Sequence, residues 1–213
     1  MFIELVGSLR CVRPHAPEWL VASAERMEAR DIVQGVLGCP ACGARYPIER
    51  GIADFRDAGA SPGAAPPSSD PELALRAAAL LGLETPGGFV VLAGTWGAAA
   101  PALVDLVERL HVLAIDAPET IESGGGVSLA LAAGEIPVRA GEARGIVLDA
   151  AHAGETWLAS AVAALRPGLR LVAPATAPVP DGMEELARDD RVWVARKDEK
   201  VVPITIGRVG HGG

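Results

Sequence analysis

The chain has 213 residues and a mass of 21.8 kDa, room for one ordinary domain or for a small module joined to a medium one. Half of the residues are apolar, 22% are charged, and 25 Gly and 17 Pro supply many turns, a globular composition and not a fibrous or disordered one. The net charge of −8 speaks against general binding to a nucleic-acid backbone, and no apolar run approaches the roughly 20 residues of a membrane-spanning helix.

The first ten residues, MFIELVGSLR, carry an acid early and no basic stretch leading into an apolar one, so no secretory signal is expected. Three cysteines, an odd number, do not make a full disulfide framework, and a reducing cytoplasm is the expected compartment. Cys11 is followed four residues later by His15, and Cys39-Pro-Ala-Cys42-Gly43 is a C-x-x-C knuckle ending in glycine. Two thiolates at that spacing can turn toward one metal ion, and Cys11 with His15 would complete a closed, structural Cys₃His zinc site. The alternatives are a redox pair at Cys39 and Cys42, a buried thiol at Cys11 and a surface imidazole at His15. Between the ligand pairs, Trp19–Ser23 and Asp31–Leu37 read as paired strands with the charged stretch Glu25–Arg30 at their turn; a helix over Glu18–Ala29 competes.

The run Leu37-Gly-Cys-Pro-Ala-Cys-Gly-Ala-Arg-Tyr-Pro-Ile-Glu-Arg-Gly-Ile52 resembles the second half of the small zinc-ribbon proteins that partner and activate methyltransferases. Two cysteines two apart, then Tyr-Pro-Ile, polar residues and Gly-Ile form the shared pattern, over about residues 8–56. Their first knuckle is usually C-x-x-C, where this chain has Cys11 and His15. The resemblance implies a metal-stapled β-rich module that works against a protein partner.

The clearest seam is DAGASPGAAPPSSDP at Asp57–Pro71, too poor in large side chains to bury a core. It divides a zinc-ribbon module at 1–57 from a linker at 58–70 and a second domain at 71–213. Residues 1–57 hold 7 basic and 8 acidic residues against 12 and 18 in 71–213, so the negative surface belongs to the second part.

Asp70-Pro71 predicts an N-cap and first helical turn, with Leu73, Ala77, Leu80 and Leu81 on one face. Gly88–Ala93 is a buried-strand run ending in Gly94-Thr-Trp-Gly97. Leu103, Leu106, Val107 and Leu110 recur at helical spacing. His111–Ile115 and Gly145–Asp149 are further strands, the second followed by a helix carrying Trp157, Leu158, Ala161, Val162 and Leu165. Arg166-Pro-Gly168 breaks that helix before the strand Leu169–Ala173. Arg191–Arg196 and Val201–Ile206 predict a closing hairpin around Lys197–Lys200. Alternating strand and helix give an α/β class: a parallel, doubly wound Rossmann-like sheet ending in an antiparallel hairpin.

That order of elements resembles the class I S-adenosylmethionine-dependent methyltransferases over residues 71–207. The best match is Ala164-Leu-Arg-Pro-Gly-Leu-Arg-Leu-Val172, their helix end, Pro-Gly turn and fifth strand, with Gly134–Pro137 and Gly145–Asp149 as loop and fourth strand. The resemblance implies an S-adenosylmethionine site with Gly94 and Gly97 in the glycine loop and Asp116 on the ribose. The family's alternating glycines and preceding acid are replaced by Leu92, Ala93 and Trp96, and Ala130–Ala133 offers no polar group for the adenine. On the plainer reading Trp96 caps the sheet and fills a vacated cleft, and whether the cleft is open is left to the structure. Asp149 and His152 are candidate catalytic residues, a carboxylate and an imidazole three residues apart that could work as an acid–base pair; a strand-end acid and a surface histidine is the plainer reading. With one recognition feature of three complete, the expectation is a zinc-binding pseudoenzyme acting as a binding or assembly module, the alternative an active methyltransferase whose ribbon presents the substrate.

Overall fold

A computed structural model describes residues 1–16, 18–56, 70–132 and 134–199. The linker at 58–69 and the strand expected at 201–206 lie outside the described residues.

The N-terminal segment begins with a 3₁₀ turn over Ile3–Ser8 and continues into β1 (Val21–Glu28) and β2 (Asp31–Gly38), an antiparallel pair. The hairpin is therefore the competing element that wins over a helix at 18–29. Its turn is tight, with Ala29 in the left-handed region at φ 52°. β3 (Arg45–Glu49) and β4 (Ile52–Asp54) complete an antiparallel meander. In β3, Tyr46 and Ile48 point inward between exposed neighbours, the period-2 burial of a half-covered strand.

The helix α1 (Pro71–Leu81) opens as its sequence dictates. Asp70 accepts a hydrogen bond from Leu73 N at 3.0 Å, Pro71 fills the first position, and Gly82 closes the helix at φ 65°. After it come β5 (Phe89–Ala93), α2 (Ala100–Leu106), β6 (His111–Ile115), β7 (Val127–Leu131), β8 (Ala143–Val147), α3 (Glu155–Ala164) and β9 (Leu165–Pro174). β10 (Met183–Arg188) and β11 (Val192–Lys197) form the terminal antiparallel hairpin. Its first strand is thus Met183–Arg188, ahead of Val192–Lys197 in the chain. Leu106 ends α2 half exposed, and Val107 and Leu110 are buried in the turn beyond, so the helical spacing at 103–110 outruns the helix.

Among the described residues the strands form a single sheet in the order β1-β2-β3-β4-β7-β6-β5-β8-β9-β11-β10. Its centre, β7-β6-β5-β8-β9, is parallel and reverses direction of winding between β5 and β8, the switch point where open α/β sheets carry their sites. Alternate residues of β5 face opposite sides. Val90 and Leu92 pack with α1 and α2, whereas Phe89, Val91 and Ala93 join Trp157, Leu158 and Ala161 of α3. Between β7 and β8 the described chain has no helix. Met1, Leu5, Val6 and Leu9 cover that face instead, and the isolated bridge Leu9–Val138 fastens them. β4 pairs in parallel with β7, so the N-terminal meander extends the central sheet through its β7 edge. No helix of the described residues is long and apolar enough to cross a membrane.

Candidate metal centre and strand-end crevice

Cys11, His15, Cys39 and Cys42 come together with their ligand atoms all within 4.8 Å of one another. Each loop is built for this. Cys39 N donates to Ala44 O and Gly43 N to Cys39 O, both at 2.9 Å, closing the knuckle through Gly43 at φ 71°. The first pair is fixed where Cys11 N donates to Glu18 O at 3.1 Å. Cys11 Sγ lies 3.7 Å from Cys42 Sγ, and Cys39 Sγ lies 3.5 Å from His15 Nε2. Zn–S bonds of about 2.3 Å and Zn–N bonds of about 2.0–2.1 Å at tetrahedral angles separate such atoms by about 3.8 and 3.5 Å. His15 Nδ1 sits 2.6 Å from Ala16 O, a contact that places the ring proton on Nδ1 and leaves the Nε2 lone pair facing the thiols. The donor set could therefore hold a metal ion.

Tyr46 is the supporting residue that spacing alone did not single out. Its hydroxyl is 3.0 Å from Cys11 Sγ and accepts from Val12 N at 3.3 Å, while its ring stacks at 4.7 Å on Phe55. Burial pushes the phenol well above its ordinary range, and the Cys11 contact adds to this. For Cys11, burial alone would raise the thiol, but hydrogen bonds from Tyr46 and the Arg13 amide outweigh it and lower the value. The signal available in sequence was the Tyr-Pro-Ile motif itself.

The second constellation lies at the carboxyl ends of β5, β6 and β8. Gly94 follows β5 at φ 64°, Asp116 follows β6 at φ 49°, and Asp149 caps the 3₁₀ turn after β8. Asp149 Oδ2 accepts from Thr95 N at 2.9 Å and from the Thr95 hydroxyl at 3.2 Å, and a Cβ on Gly94 would overlap its carboxylate. His152 bridges the two acids: Nδ1 is 2.6 Å from Asp149 Oδ1 and Nε2 is 3.1 Å from Asp116 Oδ2. The remaining oxygen of Asp116 accepts from Ala132 N at 3.2 Å. The sequence placed Asp149 and His152 as neighbours, but the meeting of both with Asp116 is non-local and was not foreseen.

Burial of His152 works against its charge, yet the hydrogen bonds and charges of Asp116 and Asp149 prevail and raise it to about 9. Burial likewise opposes ionisation of Asp149, and the bonds from His152 and Thr95 overcome it, holding the carboxyl below its ordinary range. With His152 raised in this way, both ring nitrogens donate, Nδ1 to Asp149 and Nε2 to Asp116. Arg56, fixed on Asp54 through paired bonds of 2.9 and 2.8 Å, brings a further cation toward Asp116 from the end of β4.

Gly97 approaches the next loop closely, since a Cβ there would lie 2.5 Å from that of Ala117. Trp96 does not enter the crevice. It is buried in the α1/α2 cluster with Arg76 stacked 5.7 Å above its ring, so the groups that span the strand ends are His152 and its two acids.

No protein-family model and no curated protein matches this sequence. Solved structures resemble parts of the chain at low identity. A chain of the complex containing the Haloferax volcanii Trm112 methyltransferase activator is 16% identical with a TM-score of 0.38, the match covering 47% of this chain and 50% of that one. The MycE methyltransferase of the mycinamycin biosynthetic pathway is 12% identical with a TM-score of 0.45, over 67% of this chain and 53% of that one. An S-adenosylmethionine-dependent methyltransferase from Mesorhizobium loti is 18% identical with a TM-score of 0.36, over 56% and 73%. The chain thus spans about half the length of the first two.

Proposed function

We propose that the chain is a zinc-stapled ribbon (residues 1–57) fused to a methyltransferase-like domain (residues 71–213) that serves as a binding or assembly module for a protein partner, with weak or no methyl transfer. The observation that carries this reading is the His152 bridge. A nucleoside cofactor at the switch point would need the Asp116 carboxylate for its ribose hydroxyls and an open backbone at Gly94 for its amino-acid end. Both oxygens of Asp116 are engaged within the chain, and the Asp149 carboxylate fills the space over Gly94. As arranged, the residues do not fit S-adenosylmethionine. Displacing His152 forfeits charge-assisted bonds worth about 1.5–3 kcal/mol each, one to two powers of ten in affinity.

The zinc assignment rests on three thiols and an imidazole whose ligand atoms lie within 4.8 Å of one another, the pairs Cys11–Cys42 and Cys39–His15 at tetrahedral separations, with the imidazole tautomer set by Ala16. A partner surface is available on the ribbon. Trp19 and Val21 are each 56% exposed, beside a groove of about 300 Å³ lined by Val21, Val36, Cys39, Pro40 and Arg45.

Titration calorimetry with S-adenosylmethionine tests the crevice, and elemental analysis tests the metal. The expected results are no binding at millimolar cofactor and one zinc per chain. Micromolar binding, with the cofactor ordered against β5 and β6 in a crystal, would establish the alternative, an active methyltransferase.

A further inference from the structure

Arg10 stands between the two constellations. It directly precedes the donor Cys11, and its own amide donates to Pro137 O at 3.0 Å. Its guanidinium donates to Val138 O at 3.2 Å, Ile136 O at 3.4 Å, Glu135 Oε2 at 2.6 Å and, on the ribbon side, Cys11 O at 3.2 Å. One planar fork therefore grips the carbonyl of a metal ligand and three acceptors of the chain between β7 and β8.

Residues 134–138 have no helix of their own to hold them, and further attachments run from them toward the crevice. Ile136 N donates to Ser160 Oγ at 3.0 Å, the Ser160 hydroxyl donates to Trp157 O at 2.9 Å, and the Trp157 ring meets His152 edge-on at 4.7 Å. At the head of the same stretch, Ala132 N is the donor that holds Asp116 Oδ1. Leu9, next to Arg10, bridges to Val138.

We infer that Arg10 is a positioning residue that clamps residues 134–138 to the metal loop, so that an intact metal centre holds the Asp116 carboxylate and the His152 ring in their places at the strand ends. The metal half of this statement rests on the zinc reading above; the clamp itself rests on Arg10's bonds alone. Without the guanidinium, Ile136 O and Val138 O lose a donor, the Glu135 carboxylate loses its ion pair, and on the N-terminal side the stretch keeps only the backbone contacts of Leu9 and Arg10. Without the metal, the loop that carries Cys11 keeps its bonds to Glu18 and Tyr46 but loses the tie through its thiol, and the grip is backed less firmly.

Residue-resolved amide exchange and the ring-nitrogen shifts of His152, measured by NMR on the full chain, test this. Metal content is determined first. In zinc-loaded Arg10→Ala the Ala132 amide should exchange about tenfold faster and the His152 ring nitrogens should shift, with the amides of β5 and β8 unchanged. Arg10→Lys, which keeps the charge but not the fork, should fall between. Chelating zinc from the wild type should reproduce the pattern, and restoring it should reverse it. Ala132 exchange within about twofold of wild type in Arg10→Ala would overturn the clamp. Chelation changes confined to β1–β3 would overturn its link to the metal. If Arg10→Ala does not fold, Glu135→Gln removes the ion pair alone; faster Ala132 exchange supports the clamp and unchanged exchange refutes it. A chain that purifies without zinc and does not take it up defeats the metal reading, while the arginine comparison still decides the clamp.

Discussion

An imidazole held between two carboxylates contributes to stability only while it carries a proton. The value of about 9 for His152 in the folded chain lies above the ordinary value near 6.5, so the bridge acts in full below pH 6.5. Its contribution fades as pH rises through 9. Urea unfolding should therefore show about 1–2 kcal/mol less stability at pH 9.5 than at pH 6, a figure reduced for partial solvent screening. The His152→Gln variant should lose that slope. An equal slope in the variant would assign it to other groups. Gly94 gives a second test at this scale. Its φ of 64° and the carboxylate of Asp149 over its α-carbon leave no room for a methyl group. Gly94→Ala should cost about 2–4 kcal/mol in denaturant unfolding and should separate Thr95 from Asp149, which a crystal structure would display.

Among the elements, β1 is exposed along most of its length and the parallel strands are buried, so the N-terminal edge of the sheet and its centre are stabilised differently. The meander β1–β3 has little core of its own beyond Ile32, Leu37, Tyr46 and Ile48. Metal binding is the expected remedy for a piece of this size. Chelation, or Cys39→Ser, should lower the thermal midpoint by about 10 °C and abolish protection in β2 and β3 while sparing β5 and β8. These same elements show what a sequence discloses. The knuckle, the Cys11 and His15 pair and the strands β5, β6 and β8 were legible because ligand spacing and continuous apolar runs are local signals, whereas β7 was not marked. Met183–Arg188 was missed because MEELAR is an edge strand with no buried face, so no alternation marks it. The two strand-end acids were legible as positions, but their union through His152 depends on side-chain directions fixed by the fold. Arg10 gave no signal, since a lone arginine before a cysteine predicts nothing about a loop 125 residues away.

Across the whole molecule, the β4–β7 pairing makes the ribbon and the Rossmann-like domain parts of one sheet. Met1, Leu5, Val6 and Leu9 also supply the cover that a crossover helix would give between β7 and β8. A chain beginning after residue 56 would expose the β7 edge and that apolar face together. It should elute as large aggregates by size-exclusion chromatography with light scattering, where the full chain runs as a defined species. A well-behaved truncated chain would mean that the two parts are separable.

The parallel register of Ile52–Asp54 with Leu129–Leu131 also dictates a timetable. During synthesis the ribbon leaves the ribosome well before its neighbour strand exists, and for that interval its last strand has no hydrogen-bonding companion on one side. Early capture of zinc would let the meander wait in a native-like shape, whereas zinc starvation would send it into the rest of translation unformed. If the Cys11, His15, Cys39 and Cys42 cluster takes a metal ion, its supply during synthesis would then bear on how much of this chain reaches its native state.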